Sequence, residues 1–325
     1  MATLACSLAG AEERVVLSAL PGSTAFFGGE PGKIALDVTA ADLFEGTAAW
    51  SLTANRRTAA RGEIAVSAGP GKPGRLVIPF AAPPVREEVR ISLDLELVLT
   101  DRAGVEVARF ELPIWLFPKE PFADRGQWLE SLDLHVYDPA KNTLAAFDDA
   151  RIPYRYLRSL GAMESLEAGV LVIGEGVSFA RERQLSAAIL GAVARGVTVI
   201  VLAPENGEVR LTPEKEEAAR LESLSFRRDE VLTQIDKRLS PLSWPADVSL
   251  PLARFELVAR TGETLVRVDD AADSWLWVEA TYAGKGRLTV CGANVIDGWA
   301  KGPAPRYLLA GLLESLAPAE TSTTP

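Results

Sequence analysis

VTVIVLAPEN, residues 197–206, is an apolar run rich in β-branched residues that stops at Ala203, Pro204, Glu205 and Asn206. A run this short and this uniformly apolar fits a strand buried on both faces, as in a parallel sheet. Its upstream neighbours carry the same message. RERQLSAAILGAVARG (181–196) places Leu185, Ala188, Ile189, Ala192 and Val193 at helical spacing, with Gly196 as the stop signal. Before it, GVLVIGEG (169–176) is a second buried strand. Strand, helix and strand in this order imply a right-handed crossover and a parallel sheet covered by helices. In such sheets ligands and catalytic groups gather at the carboxyl ends of the strands. Here the strand delivers no nucleophile.

Working outward, LDLHVY, a short helical segment over 144–150, and IPYRYL precede these elements. PEKEEAARLESL, with Pro213 in its first turn, is expected to be a further helix. RFELVAR, TLVRVD, SWLWVEATY and GRLTVCGANV return to strands, and Pro303 and Pro305 open a closing helix whose Tyr307, Leu308, Leu312 and Leu316 share a face. The first third has another rhythm. In VRISLDLELVLT (89–100), Val89, Ile91, Leu93, Leu95, Leu97 and Leu99 alternate with mostly polar residues, so one face is buried and the other wet. VEVARFEL follows across the Asp101–Gly104 turn, and VVLSAL, KIALDV, AAWSLTA, EIAVSA and RLVIPF supply further strands. Seven or eight short strands read as an immunoglobulin-like β-sandwich. The expected organisation is a disordered or signal-remnant leader (1–13), the sandwich (14–118), a linker (119–126), an α/β domain (127–318) and a disordered tail (319–325).

Composition narrows the chemistry. The chain has 325 residues, one histidine (His135), two cysteines (Cys6 and Cys291) and a net charge of -10. Three scattered Cys and His residues without short spacings argue against a zinc site, and no metal or other cofactor is expected. The negative charge argues against nucleic acid, and no stretch suits a transmembrane segment. Thr3-Leu4-Ala5-Cys6 resembles a lipoprotein cleavage site without a basic n-region ahead of it, which favours an extracytoplasmic location.

GGEPGK (28–33) leads into a strand and is read as a turn, not a phosphate loop. His135 lies within a strand, where a structural role with one ring nitrogen bonded to backbone is expected. DDAADS (269–274) lacks the ligand pattern of a calcium loop and is read as a solvated turn. Trp275 and Trp277 share one side of a strand, suited to core packing or to stacking on a sugar, whereas Trp50 and Trp115 belong in and beside the sandwich core. Asp138, Glu175, Glu205, Asn206 and Asp297 fall at ends of the parallel strands and are the candidate cleft residues. Glu175 and Glu205 are the candidates for an acid–base pair, provided that they face one cleft.

FFGGEPGKIALDV, AAWSL, RGEIAV and ELPIWLFP resemble an immunoglobulin-like domain found late in bacterial family 2 glycoside hydrolases of the β-galactosidase type. LVIGEG, VTVIVLAPEN and YAGKGRLTVCGANVIDGW ahead of PAPRYLLAGLLESL are similar to class I glutamine amidotransferase-like domains that accompany such enzymes, a resemblance that implies a flavodoxin-like, amidotransferase-like fold for the α/β domain at 127–318. A related flavodoxin-like domain in family 42 β-galactosidases mediates trimer formation. An active amidotransferase has a cysteine where this chain has Ala203, Pro204 and Glu205, and a histidine late in the domain, where this chain has none. The resemblance therefore implies a noncatalytic carbohydrate-associated module whose partner is a glycan, a glycoside hydrolase or a second copy of the chain. The alternatives are a glycoside hydrolase using the strand-end carboxylates and a cell-envelope protein attached through Cys6.

Overall fold

The computed structural model describes residues 15–213, 219–250, 254–260, 263–268, 277–284 and 286–316. The expected leader with Cys6, the DDAADS segment, Trp275 and the C-terminal tail lie outside these residues. The chain forms two compact units. One holds the described residues through Lys119 with Arg238–Ala246 and Gly302–Ala304; the other holds Glu120–Lys237, Asp247–Lys301 and the described residues from Pro305.

The first unit is a β-sandwich. Its strands are β1 (Val15–Ala19), β2 (Ala25–Phe27), β3 (Pro31–Ala40), β4 (Phe44–Ala54), β5 (Arg57–Ala68), β6 (Gly74–Ala81), β7 (Ile91–Asp101) and β8 (Glu106–Phe117). They form a three-stranded sheet, β1-β3-β6, and a five-stranded sheet, β2-β8-β7-β4-β5. Period-two alternation drives the assembly: Leu93, Leu95, Leu97 and Leu99 of β7 are buried in one core with Ile34, Leu36 and Val38 of β3 and with Leu76 and Ile78 of β6. Trp50 lies in that core and Trp115 is half-buried. Val89, expected in the β7 alternation, lies before the strand and is exposed, because β7 begins only at Ile91. The GGEPGK stretch is a turn entering β3.

The second unit is a mixed, mostly parallel α/β fold. Its elements, in chain order, are α1 (Gly126–Ser131), β9 (Leu134–Tyr137), α2 (Asn142–Asp149), β10 (Arg155–Tyr156), β11 (Val170–Ile173), α3 (Leu185–Ala194) and β12 (Thr198–Leu202). There follow β13 (Asn206–Arg210), β14 (Leu221–Arg227), α4 (Glu230–Ile235), β15 (Arg254–Arg260), β16 (Glu263–Val268), β17 (Trp277–Tyr282) and β18 (Arg287–Cys291); α5 (Pro303–Glu314) is the last helix among the described residues. The main sheet runs β10-β9-β11-β12-β18-β17-β14. Its first five strands are parallel, and β17 is antiparallel to both β18 and β14. A second sheet, β13-β15-β16, has three strands.

Within the parallel core, β9, β11, β12 and β18 are buried on both faces, as the unbroken apolar runs require, whereas the edge strand β10 carries exposed Arg155 and half-buried Tyr156. Gly196 ends α3 with φ 92°, a left-handed conformation that favours glycine, and Val197 N–H reaches back to the Ala192 carbonyl. Of the helix expected over 213–224, residues 214–218 lie outside the described residues, and its end is corrected: Leu221–Arg227 is β14, paired with β17. Its LxxL spacing suits either state, and the pairing supplies backbone partners that β17 would otherwise lack on that side. Asn206, expected in a cleft, begins β13, which pairs with β15. No helix of the described residues is long and apolar enough to cross a membrane.

Candidate functional site at the carboxyl edge of the parallel sheet

Counted in chain order, the parallel strands lie 2-1-3-4-5, with the connections leaving β9 and β11 running in opposite directions. Ligands in doubly wound sheets bind where that reversal opens a crevice, here between the ends of β9 and β11. Asp138 follows β9, and Gly174 and Glu175 follow β11. The crevice is packed with the chain's own groups.

Asp138 is fully buried, and its Oδ2 accepts the backbone N–H groups of Thr143 and Leu144 at 2.7 and 3.2 Å. That carboxylate caps α2 and takes up donors a bound anion would need. Gly174 permits the fit: a Cβ added there would lie 2.7 Å from both Cβ and Cγ of Asp138. The next residue, Glu175, donates its N–H to Thr143 Oγ1 at 2.9 Å. Its carboxylate accepts Ile296 N–H at 2.7 Å and Asp297 N–H at 3.0 Å, one on each oxygen. Only 6% exposed, Glu175 fixes the loop after β18 to the end of β11. Burial pushes its carboxyl up to about 7, against the backbone N–H groups of Ile296, Asp297 and, more weakly, Val295, which favour the anion, and with a smaller contribution from the Asp297 charge.

Glu205 is placed differently. Its N–H binds the Val177 carbonyl, while its exposed carboxylate pairs with Arg181 at a short contact. Asn206 Oδ1 accepts the Ser178 hydroxyl, which ties the start of β13 to the loop after β11. Asp297 extends its carboxylate towards Lys301 at 3.3 Å. Glu175 and Asp297 thus meet through a main-chain N–H, whereas Glu205 and Asn206 engage the 178–181 segment.

The potential nucleophiles are equally committed. Cys291 is fully buried in β18, and burial pushes its thiol up to about 12, far from a reactive thiolate at neutral pH. The expected backbone partner of His135 is corrected: Nε2 faces the Asp133 carboxylate at 3.3 Å, and Nδ1 is buried with no hydrogen-bond partner among the described residues. Parallel pairing of β9 with β10 and β11 occupies the neighbouring main chain, which leaves a side chain as the ring's partner. Trp277 is buried and donates its indole N–H to Glu279 at 2.8 Å. Among the described residues no three His, Cys, Asp or Glu side chains converge on a metal-sized site.

One network, with buried Arg306 and Trp299 and an exposed Asp149, escaped sequence reasoning. Arg306 of α5 lies over the Trp299 ring at 4.8 Å, donates to the Trp299 carbonyl at 2.7 Å and reaches Asp149 at the end of α2. Trp299 Nε1 donates to the same Asp149 oxygen at 3.0 Å. Alternating cation, ring and carboxylate have no fixed sequence spacing, and PAPRYLL reads only as an amphipathic helix.

No protein-family model matches the chain, and no curated protein does. Solved structures give distant likenesses. A cycloisomaltooligosaccharide glucanotransferase from Paenibacillus sp. shares 8% identity over 57% of this chain and 27% of its own, at a TM-score of 0.27. Spo0M, a sporulation control protein from Bacillus subtilis, shares 14% over 42% of this chain and 55% of its own, at 0.22. A calcium-binding mutant of Bacteroides uniformis β-glucuronidase 2 shares 8% over 58% and 33%, at 0.24. The chain therefore spans between about a quarter and about half of these proteins. The similarity to glycoside hydrolases is distant and confined to part of the chain.

Proposed function

We propose that this protein is a noncatalytic carbohydrate-associated module, in which a β-sandwich and an α/β domain without a working nucleophile serve glycan binding, partner docking or oligomerisation. The observation that supports this reading most directly is the state of Glu175. Both of its oxygens are engaged by main-chain donors in a nearly closed pocket, and Glu205 turns outward to Arg181. Glycoside hydrolysis needs two carboxyl groups flanking one sugar bond, the acid free to give its proton to the leaving oxygen. The buried thiol of Cys291 speaks equally against acyl transfer through cysteine.

The raised pKa of Glu175 favours a second reading, a general acid of a glycosidase, since such acids are tuned to that range by burial. The deciding experiment assays aryl glycosides with the wild type, Glu175→Gln and Glu205→Gln, and measures solution mass by light scattering and binding on a glycan panel. The expected result is no turnover above the uncatalysed rate, together with binding or self-association. Turnover abolished in Glu175→Gln would overturn the noncatalytic reading, as would a monomer that binds no glycan.

A further inference from the structure

A groove of about 710 Å³ lies on the α/β unit between α2 and the extended segment through β10, and its lining does not include Glu175. Lys141, Leu144 and Asp148 line one side, and Tyr154, Tyr156 and Arg158 the other. Positions 154, 156 and 158 alternate along an extended chain and so fall on one side of it, while Arg155 points to Asp133. Both rings stand on fixed supports. Tyr154 packs edge-on against buried Phe147 at 6.0 Å and is pinned through its hydroxyl to Asp148 Oδ1 at 2.9 Å; Tyr156 sits in β10, in register with Val136 of β9. Lys141 and Arg158 are exposed, and neither has an ion-pair partner among the described residues.

We propose that this groove binds an acidic saccharide, a pyranose chain bearing carboxylate or sulfate groups. This rests on the reading of the protein as a noncatalytic glycan-binding module and names its site and ligand class. A volume of this size suits a small ligand. A spacing of two residues in an extended chain separates the ring supports by roughly 7 Å. Tyrosine rings placed along a groove suit stacking on the apolar faces of sugar units. Asp148 and the Tyr154 hydroxyl suit sugar hydroxyls, and the two cations supply the preference for negative charge. A phosphate cradle on the helix start is not on offer, because Asp138 already holds the Thr143 and Leu144 N–H groups.

The test titrates three sugars into the full chain by calorimetry: oligogalacturonate, its fully methyl-esterified uncharged form and a sulfated galactan oligosaccharide. The wild type is expected to bind at least one charged sugar at least tenfold more tightly than the ester, and whichever is preferred identifies carboxylate or sulfate as the recognised group. Tyr156→Ala is expected to weaken that binding at least tenfold. Lys141→Glu with Arg158→Glu, both on exposed positions and so safe for folding, is expected to abolish the charge preference, and Arg155→Gln, on the other side of the strand, to leave binding unchanged. The proposal is overturned if no charged sugar binds, if the ester binds as tightly, or if the charge-reversed variant keeps wild-type affinity. Glycan binding untouched by these variants would remove this groove yet leave the noncatalytic module standing, whereas glycoside turnover would remove the module without deciding the groove.

Discussion

Glu175 and Glu205 end neighbouring parallel strands, β11 and β12, and from the strands alone they are equivalent. Glu175 is nearly enclosed and holds two main-chain donors of the 295–297 loop; Glu205 is exposed and its carboxylate holds Arg181. The strand brings each carboxylate to the sheet edge, and the covering loop decides its fate. Where the loop after β18 arrives with two N–H groups, the carboxylate becomes a structural clasp. Where no such donors arrive, it remains a solvated ion pair, a kind worth little.

The sharpest way to break this contrast is Glu175→Ala. It leaves Ile296 and Asp297 N–H without acceptors and opens a void, which is expected to cost about 3 kcal/mol or more in urea unfolding. A loss under about 0.5 kcal/mol would erase the distinction between the two glutamates.

A subtler test uses pH. Because the folded Glu175 pKa of about 7 exceeds its ordinary value of 4.5, the folded chain holds a proton that the unfolded chain releases between those values. The stability this group contributes is therefore full below pH 4.5 and lost as pH rises through about 7. The stability of the wild type relative to Glu175→Gln should fall over that window, by about 3 kcal/mol at most. A flat difference between pH 4 and 8 would show that the backbone donors cancel the effect of burial, and a rise with pH that they outweigh it.

Gly174→Ala probes the close approach of the two strand ends. A Cβ at 2.7 Å from Asp138 forces that side chain or the α2 start to shift, with an expected cost of about 1–3 kcal/mol by the same unfolding measurement. The smallest effect belongs to Glu205→Ala, expected within about 0.5 kcal/mol and weakened further by salt. A larger loss would mean that the exposed pair with Arg181 anchors the loop after β11.

Much of the architecture was legible in local pattern. Alternation in 89–100 marked β7, because a half-buried strand must place every second side chain in the core, and the unbroken apolar runs at 169–173 and 197–202 marked strands covered on both faces. The helix read over 213–224 failed at Leu221–Arg227, since an LxxL spacing serves helix or strand and only pairing with β17 chose between them. Asn206 was legible as a strand-end residue, not as the first residue of β13.

The sequence by itself determined the two rhythms of the chain, the strand-end carboxylates, and the absence of a cysteine at 203–205 and of any histidine after His135, because periodicity and residue type are local. Only the tertiary structure decided that Glu175 is clasped by residues 121 and 122 positions away, that Asp138 caps α2, and that Tyr154 and Tyr156 share a groove with two cations. Ionisation, enclosure and access depend on which distant backbone donors and covering segments arrive at a side chain, and no spacing along the chain encodes that arrival.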